Sequence, residues 1–301
     1  MGMPAPTPLQ IGYIDPDNNY WNLSDLSMSK GYICSAIAGI EGLPVSMQTV
    51  PLLDGTAYPN FYIPQPGTIA IAILVAPPSA SQNEIDYYNL LDAIIRAFYT
   101  RRNEVPKPGY LQVQRPDGST RQIAVYTTSG LNTPEVGLND MSLFSIVLST
   151  PDPFWQDAVP QTLTFQQATA TGILPLLPVN LASGAVLGAA TIVNNGSANS
   201  YPSWTITGPG TPTMTNNTTG LAWSLNQQIP GGQIVQVITK PGQQVVVNQT
   251  TGQSIWDQLT ATSLRQLWGL IPGVNQINMQ MAGASQATQV QLQWTNRWAR
   301  A

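Results

Sequence analysis

Apolar and polar residues alternate most regularly towards the C-terminus. Ile277, Met279 and Met281 share one side with Asn278 and Gln280 opposite, and Val290, Leu292 and Trp294 repeat this against Gln291 and Gln293. A period of two is that of a strand with one buried and one wet face. Pro230-Gly231-Gly232, Pro241-Gly242 and Pro272-Gly273 separate such runs as turns, which together predict an antiparallel β-sandwich. Residues 161–195 are nearly uncharged and read as a linker strand and the entry into this sheet system.

The first half follows a different pattern. Residues 32–37 and 58–63 are short β-prone runs bounded by Gly, Pro and Asp-Gly, and residues 69–76 are apolar enough to predict a strand buried on both faces. Next, Ser81-Gln82-Asn83-Glu84 has the form of a capping box. Behind it Ile85, Tyr88, Leu91, Ile95 and Phe98 recur at helical spacing, and Arg101 with Arg102 would complement the dipole in a last turn. Residues 82–102 are thus predicted as one helix packed on a sheet. Leu111-Gln112-Val113-Gln114 and Ile123-Ala124-Val125-Tyr126 flank Arg115-Pro116-Asp117-Gly118, the signature of a β-hairpin. Residues 140–149 read as a further strand, entering a corner at Thr150-Pro151-Asp152-Pro153-Phe154-Trp155. There the prolines fix the backbone, and Asp152, Pro153, Phe154 and Trp155 are expected to anchor a domain junction. The fold class is mainly β, in two domains: residues 1–157 with the helix, and residues 158–301 as the sandwich.

Composition narrows the chemistry. The chain of 301 residues has no histidine, and beyond Asp157 its one acid is Asp257. No His-based triad or His metal ligand can be built, and a two-carboxylate hydrolase would need both acids from the first half or Asp257. Asp152 and Asp157 could pair, but nothing around them supplies the apolar pocket that would split their acidities. The expectation is a non-enzymatic protein with no cofactor and no metal. Charged residues make up 9% of the chain, against roughly 25% in an average domain. Gln, Asn, Thr and Ser replace them, a surface suited to burial against neighbours, where stranded charge costs desolvation.

Up to Asp157 there are 14 acids and 7 bases, whereas beyond it Lys240, Arg265, Arg297 and Arg300 face Asp257. No chain-wide basic footprint exists, so sequence-specific nucleic-acid binding is not expected. Residues 1–10 show no signal-peptide pattern, and the longest apolar run is of strand length, so neither secretion nor membrane insertion is expected. Cys34, the single cysteine, fits synthesis in a reducing cytoplasm and is expected as a small buried strand residue. Asn-x-Ser/Thr triplets at Asn22, Asn195, Asn216, Asn217 and Asn248 are read as turn and edge polarity. Six of the eight tryptophans lie in the second half, at 204, 223, 256, 268, 294 and 298, where core packing is expected ahead of a sugar-stacking platform.

In order and spacing these segments resemble the distal tail (Dit) family of long-tailed bacteriophages, also called siphovirus-type tail components or minor tail proteins. The first half carries Gly31-Tyr32-Ile33, Leu53-Asp54-Gly55, the capped helix, Asp117-Gly118-Ser119-Thr120-Arg121 and Asp152-Pro153-Phe154-Trp155. The second adds Ser200-Tyr201-Pro202-Ser203-Trp204-Thr205-Ile206-Thr207-Gly208-Pro209 and Asn216-Asn217-Thr218-Thr219-Gly220. Further on come Ser254-Ile255-Trp256, Leu267-Trp268-Gly269-Leu270-Ile271-Pro272-Gly273-Val274-Asn275 and the closing Val290-Gln291-Leu292-Gln293-Trp294.

The resemblance implies an N-terminal β-barrel-like domain crossed by a helix and a C-terminal galectin-like sandwich. It also implies a homo-oligomeric ring, usually a hexamer, at the virion tail tip. That ring would join the tail tube protein to the tail-associated hub or baseplate protein and accommodate the C-terminus of the tape measure protein. Candidate ring contacts are Tyr13, Tyr20 and Trp21 in the first thirty residues and Pro64 and Gln65 in the loop to Gly67. The competing expectations are a cell-wall glycan adhesin gripping sugar through exposed Trp204 or Trp223, a tail-tip hub protein, and a cell-wall hydrolase.

Overall fold

The computed structural model describes residues 9–51, 53–54, 56–77, 84–132, 141–166, 186–260 and 267–301. The chain is mainly β and forms two units, residues 1–158 with 298–301, and residues 159–297.

In the first unit the strands form a path in the order Tyr20–Asn22, Gln10–Ile14, Gly109–Gln114, Thr120–Ser129, Ser142–Thr150, Gly67–Val75 and Tyr32–Ala38, every pairing antiparallel. The ends of this path meet. Leu23 N–H donates to the Ile11 carbonyl (2.9 Å) and Cys34 N–H to the Leu23 carbonyl (2.8 Å), so the sheet curls nearly closed. The expected hairpin is present: Gly118 takes a φ of +82° and donates to the Arg115 carbonyl. The strand Gly67–Val75 departs from expectation, because it alternates. Ile69, Ile71, Ile73 and Val75 are buried, and the opposite side is filled by Thr68, Ala70, Ala72 and Leu74. Small alanines at those positions made an alternating strand look uniformly apolar.

One helix, Glu84–Phe98, covers this sheet. It ends four residues before the expected limit, while Ser81, Gln82 and Asn83 of the capping box lie outside the described residues. Its buried face is also rotated: Tyr87, Leu91, Ile94, Ala97 and Phe98 are buried, whereas Ile85 and Tyr88 are exposed. The doublets Tyr87-Tyr88, Leu90-Leu91 and Ile94-Ile95 allow two apolar stripes one residue apart, and periodicity cannot choose between them. Packing does choose. Phe98 stacks on Tyr13 with centroids 4.2 Å apart, and Tyr13 Oη donates to the Ala97 carbonyl at 3.1 Å. Arg101 and Arg102 lie beyond the helix, in a short strand paired with Val105–Pro106. From there Arg102 still reaches back, its Nη2 donating to the Arg96 carbonyl at 3.0 Å and its Nη1 to the Tyr99 carbonyl. The helix's final carbonyls thus receive a cation from outside the helix.

The last four residues, expected in the sandwich, belong to the first unit. Trp298 Nε1 donates to Asp157 Oδ1 (2.7 Å), the Arg121 guanidinium sits 3.8 Å from the Trp298 ring centroid, and Ala301 N–H donates to the Ile40 carbonyl (3.1 Å). An indole that finds both a carboxylate and a cation there explains why the chain returns.

The second unit is a sandwich. A six-stranded sheet runs Gln161–Gln166, Gln289–Trp294, Ser203–Thr207, Ile234–Ile238, Val245–Asn248 and Gln253–Ser254. A five-stranded sheet runs Val186–Asn194, Gly273–Ala282, Thr211–Asn216, Leu221–Leu225 and Leu259–Thr260. Their inner residues share one core, among them Ile206, Met214, Ile277, Met279, Met281, Val290 and Leu292. Trp204 is its centre, meeting Trp223 and Trp268 edge-to-face at 5.8 and 5.4 Å. Two of the Asn-x-Thr triplets build the same turn twice. In Asn216-Asn217-Thr218-Thr219-Gly220 and Asn248-Gln249-Thr250-Thr251-Gly252 the first Asn side chain accepts from the backbone N–H groups two and three residues on. Gly220 and Gly252 close each turn at φ of +70° and +72°.

Candidate functional site

Among the described residues no group of three or more His, Cys, Asp or Glu could hold a metal ion. Several of the acids are engaged in local architecture. Asp25 accepts from the hydroxyls of Ser27 and Ser29, which hold its carboxyl down at about 2. Asp15 is buried and accepts from Asp17 N–H and Asn19 N–H, both at 2.8 Å, and from Trp21 Nε1 at 3.1 Å. Asp17 meets Arg102 in a two-pronged pair at 2.8 and 3.0 Å, and the hydrogen bond from Arg102 lowers its carboxyl below the usual range. Asp152 Oδ1 accepts from Phe154 N–H at 3.3 Å, and Asp157 holds Trp298. Each of the two suspect carboxylates therefore has a structural partner.

A cavity of about 640 Å³ lies where the helix ends beside the strand Thr120–Ser129. Its lining includes Tyr99, Arg101, Tyr126, Thr127 and Leu131 and, among the described residues, contains no carboxylate, thiol or imidazole. None of those described side chains acts as a general base near neutral pH. Cys34 lies on its expected strand but only half-buried, and burial pushes its thiol up, away from a reactive thiolate.

What the first unit does display is a projecting hairpin. Among the described residues, strands Val45–Pro51 and Ala57–Pro64 pair only with each other, in a two-stranded sheet apart from the main path. Val45, Met47, Val50, Leu53, Tyr62 and Ile63 are exposed, Met47 at 60% and Tyr62 at 65%. Met47 and Tyr62 stand directly opposite one another, so their side chains share one face. Near the tip Asp54 Oδ1 accepts from Thr56 N–H (2.9 Å) and Oγ1 (2.6 Å). A two-stranded ribbon is marginal in water without a covering surface, and this one offers an apolar, almost uncharged face.

The structure separates the expected contact residues. Pro64 and Gln65 sit at the base of this hairpin, half-buried, with Gln65 N–H donating to the Pro44 carbonyl. Tyr20 is exposed, whereas Trp21 is half-buried against Tyr32, at 5.3 Å, and tied to Asp15. Tyr13 is fully buried, which removes it as a subunit contact: strand alternation turns it inward, onto Phe98. Trp155 is likewise buried in the core of the first unit and Phe154 is half-buried, so the Trp is a core residue of that unit. The sequence shows the strand around residues 58–63 and the loop leading to Gly67, which the structure confines to residues 65–66, but not the partner strand Val45–Pro51. Its Val-Ser-Met-Gln-Thr-Val spacing was the available signal. The exposed-tryptophan platform is lost as well, because Trp204 and Trp223 are each 1% exposed.

No family model matches the chain, and no curated protein matches it. Solved structures do. The Dit protein of phage SPP1, described as a paradigm of the hub adsorption apparatus in phages infecting Gram-positive bacteria, superposes with a TM-score of 0.61 at 11% identity, covering 97% of this chain and 99% of that one. A chain from the phage P2 baseplate in its activated conformation with calcium gives 0.57 at 12% identity, covering 96% and 98%. The chain has the distal tail protein fold. That likeness extends across nearly its whole length, through both units.

Proposed function

We propose that this chain is a structural, non-enzymatic distal tail protein of a long-tailed bacteriophage. Copies would form a closed ring, of six subunits by the family resemblance, at the virion tail tip. The ring would join the tail tube protein to the hub or baseplate protein and accommodate the end of the tape measure. The observation that carries this reading is the hairpin Val45–Pro64, an isolated ribbon with exposed Met47, Val50 and Tyr62. In a ring each subunit presents one surface to the copy ahead and a different one to the copy behind. A projecting apolar ribbon suits such a head-to-tail contact, because it buries its side chains on the next copy and leaves its own subunit's core intact.

The fold likeness supports the location, since the similar chains are a Dit protein and a baseplate component. The sparse charge supports assembly, as do carboxylates committed to turns and to one arginine. Immunogold labelling of virions tests the location: label at the junction of tube and tip is expected, and label on the capsid or along the tube would overturn the proposal. Zymography on host peptidoglycan tests the absence of hydrolase activity, and a cleared band surviving repurification would contradict it.

A further inference from the structure

We propose that the second unit holds a binding site for a neutral sugar residue. The site lies at one end of the six-stranded sheet, where residues 227–233 face the strands Val245–Asn248 and Gln253–Ser254. A cavity of about 200 Å³ opens there, below the roughly 300 Å³ at which drug-sized pockets begin and suited to a single ring. Five of its lining residues are primary amides: Gln227, Gln228, Gln233, Asn248 and Gln253. The floor is aliphatic, with Ile229 and Val235 buried and Ile255 partly buried. Among the described residues no lining side chain carries a charge.

Each amide offers two donors and an acceptor oxygen, which pair with hydroxyls of either polarity. A pyranose ring has matching faces: a rim of hydroxyls for the amides and a C–H face for the aliphatic floor. An anionic ligand would arrive unpaired, since its charge would be desolvated with no cation to meet it.

Part of the site is ordered before any ligand arrives. Asn248 Nδ2 donates to Gln233 Oε1 at 2.7 Å, which orients the Gln233 amide and leaves its Nε2 group as a donor. Asn248 is itself held by Thr250 N–H and Thr251 N–H on its Oδ1. The opposing loop is pinned by reciprocal backbone bonds between Gly210 and Ile229 at 3.0 and 2.8 Å and by Gln233 N–H to the Pro230 carbonyl at 3.1 Å. The two held amides, Gln233 and Asn248, lose little freedom on binding, whereas Gln227, Gln228 and Gln253 are exposed. No aromatic ring lines the cavity, so dissociation constants of about 1 mM are expected. The site stands apart from the buried tryptophans and does not depend on ring assembly.

The test is a titration of the full chain, reading side-chain amide NMR shifts, with methyl glucopyranoside and with N-acetylglucosamine. Inorganic phosphate and an acetyl-glutaminamide peptide serve as the comparison probes. Saturable shifts with a sugar near 1 mM, unchanged at high salt, are expected. Gln228→Ala with Gln253→Ala, both solvent-facing, should weaken binding about tenfold, and Thr251→Trp, filling the mouth, should abolish it. Shifts in the Gln249→Ala control, just outside the cavity, should match the parent chain. No saturable shift at about 100 mM of either sugar, tighter binding of phosphate or the peptide, or undiminished binding in both the amide and the filling variants would each overturn the proposal.

Discussion

Tyr13 links the first strand to the end of the helix, and its removal can be dissected into two separable losses. Its ring is fully buried and stacks on Phe98 at 4.2 Å with an interplanar angle of 5°, while its hydroxyl donates to the Ala97 carbonyl at 3.1 Å. Tyr13→Phe removes only the hydroxyl. It leaves the Ala97 carbonyl without that donor, a loss of about 1 kcal/mol. Tyr13→Leu removes the stack as well and opens a cavity, for a total of about 3 kcal/mol. With two units in the chain a single unfolding free energy is not well defined, so the assay must report locally. Hydrogen exchange of the peptide spanning Glu84–Phe98, followed by mass spectrometry, does so. Opening of the helix should accelerate about fivefold in Tyr13→Phe and about a hundredfold in Tyr13→Leu, at about 1.4 kcal/mol per decade. Peptides from the second unit should not change. Equal acceleration in the two variants would refute the argument that ring stacking seats the helix.

Three further outcomes follow from the same geometry. Trp268 Nε1 donates to the Met214 carbonyl at 3.2 Å, while the buried Trp204 Nε1 has no hydrogen-bond partner among the described residues. Trp268→Phe should therefore destabilise the second unit by about 1 kcal/mol more than Trp204→Phe, measured as the shift of its urea transition. Asp25 has its carboxyl lowered to about 2 in the folded state, so its stabilisation is complete above the unfolded value near 4 and fades as pH falls towards about 2; Asp17, lowered by Arg102, acts in the same direction. Asp25→Asn should flatten the acid limb of a stability–pH profile over that window and lower stability by a constant amount at pH 7–8, where the carboxylate's bonds to Ser27 and Ser29 are fully formed in the parent chain. Tyr62→Asp on the hairpin, exposed and opposite Met47, should leave thermal stability of the dilute chain within about 0.5 kcal/mol and abolish assembly, read by analytical ultracentrifugation.

Strong local signals were legible where one face of an element met a continuous core. The alternation at Ile277, Met279 and Met281 and at Val290, Leu292 and Trp294 was fully realised, because a one-residue slip would expose every one of those side chains. The helix was found, but its face and its end were not. Adjacent apolar doublets left its rotation undetermined, and Arg102 serves the helix carbonyls from the following strand. Tyr13 looked like a surface aromatic because nothing local announces that Phe98, far along the chain, receives it. The hairpin partner Val45–Pro51 was missed for the opposite reason: its Val-Ser-Met-Gln alternation is short and, with neither face buried in its own chain, no core makes that alternation stand out. The amide pocket drew no notice, since Gln and Asn scattered over 27 positions between Gln227 and Gln253 come together only through the sheet register.

The central claim is self-assembly through the hairpin, and electron microscopy of the purified chain at concentrations of about 100 μM, far above those of weak association, tests it most directly. The account requires closed particles of rotational symmetry, six-fold by the family resemblance, with density for residues 45–64 lying on the neighbouring copy. Closed particles in which that hairpin projects free, or a chain that stays monomeric even when tube and hub proteins are added, would contradict it.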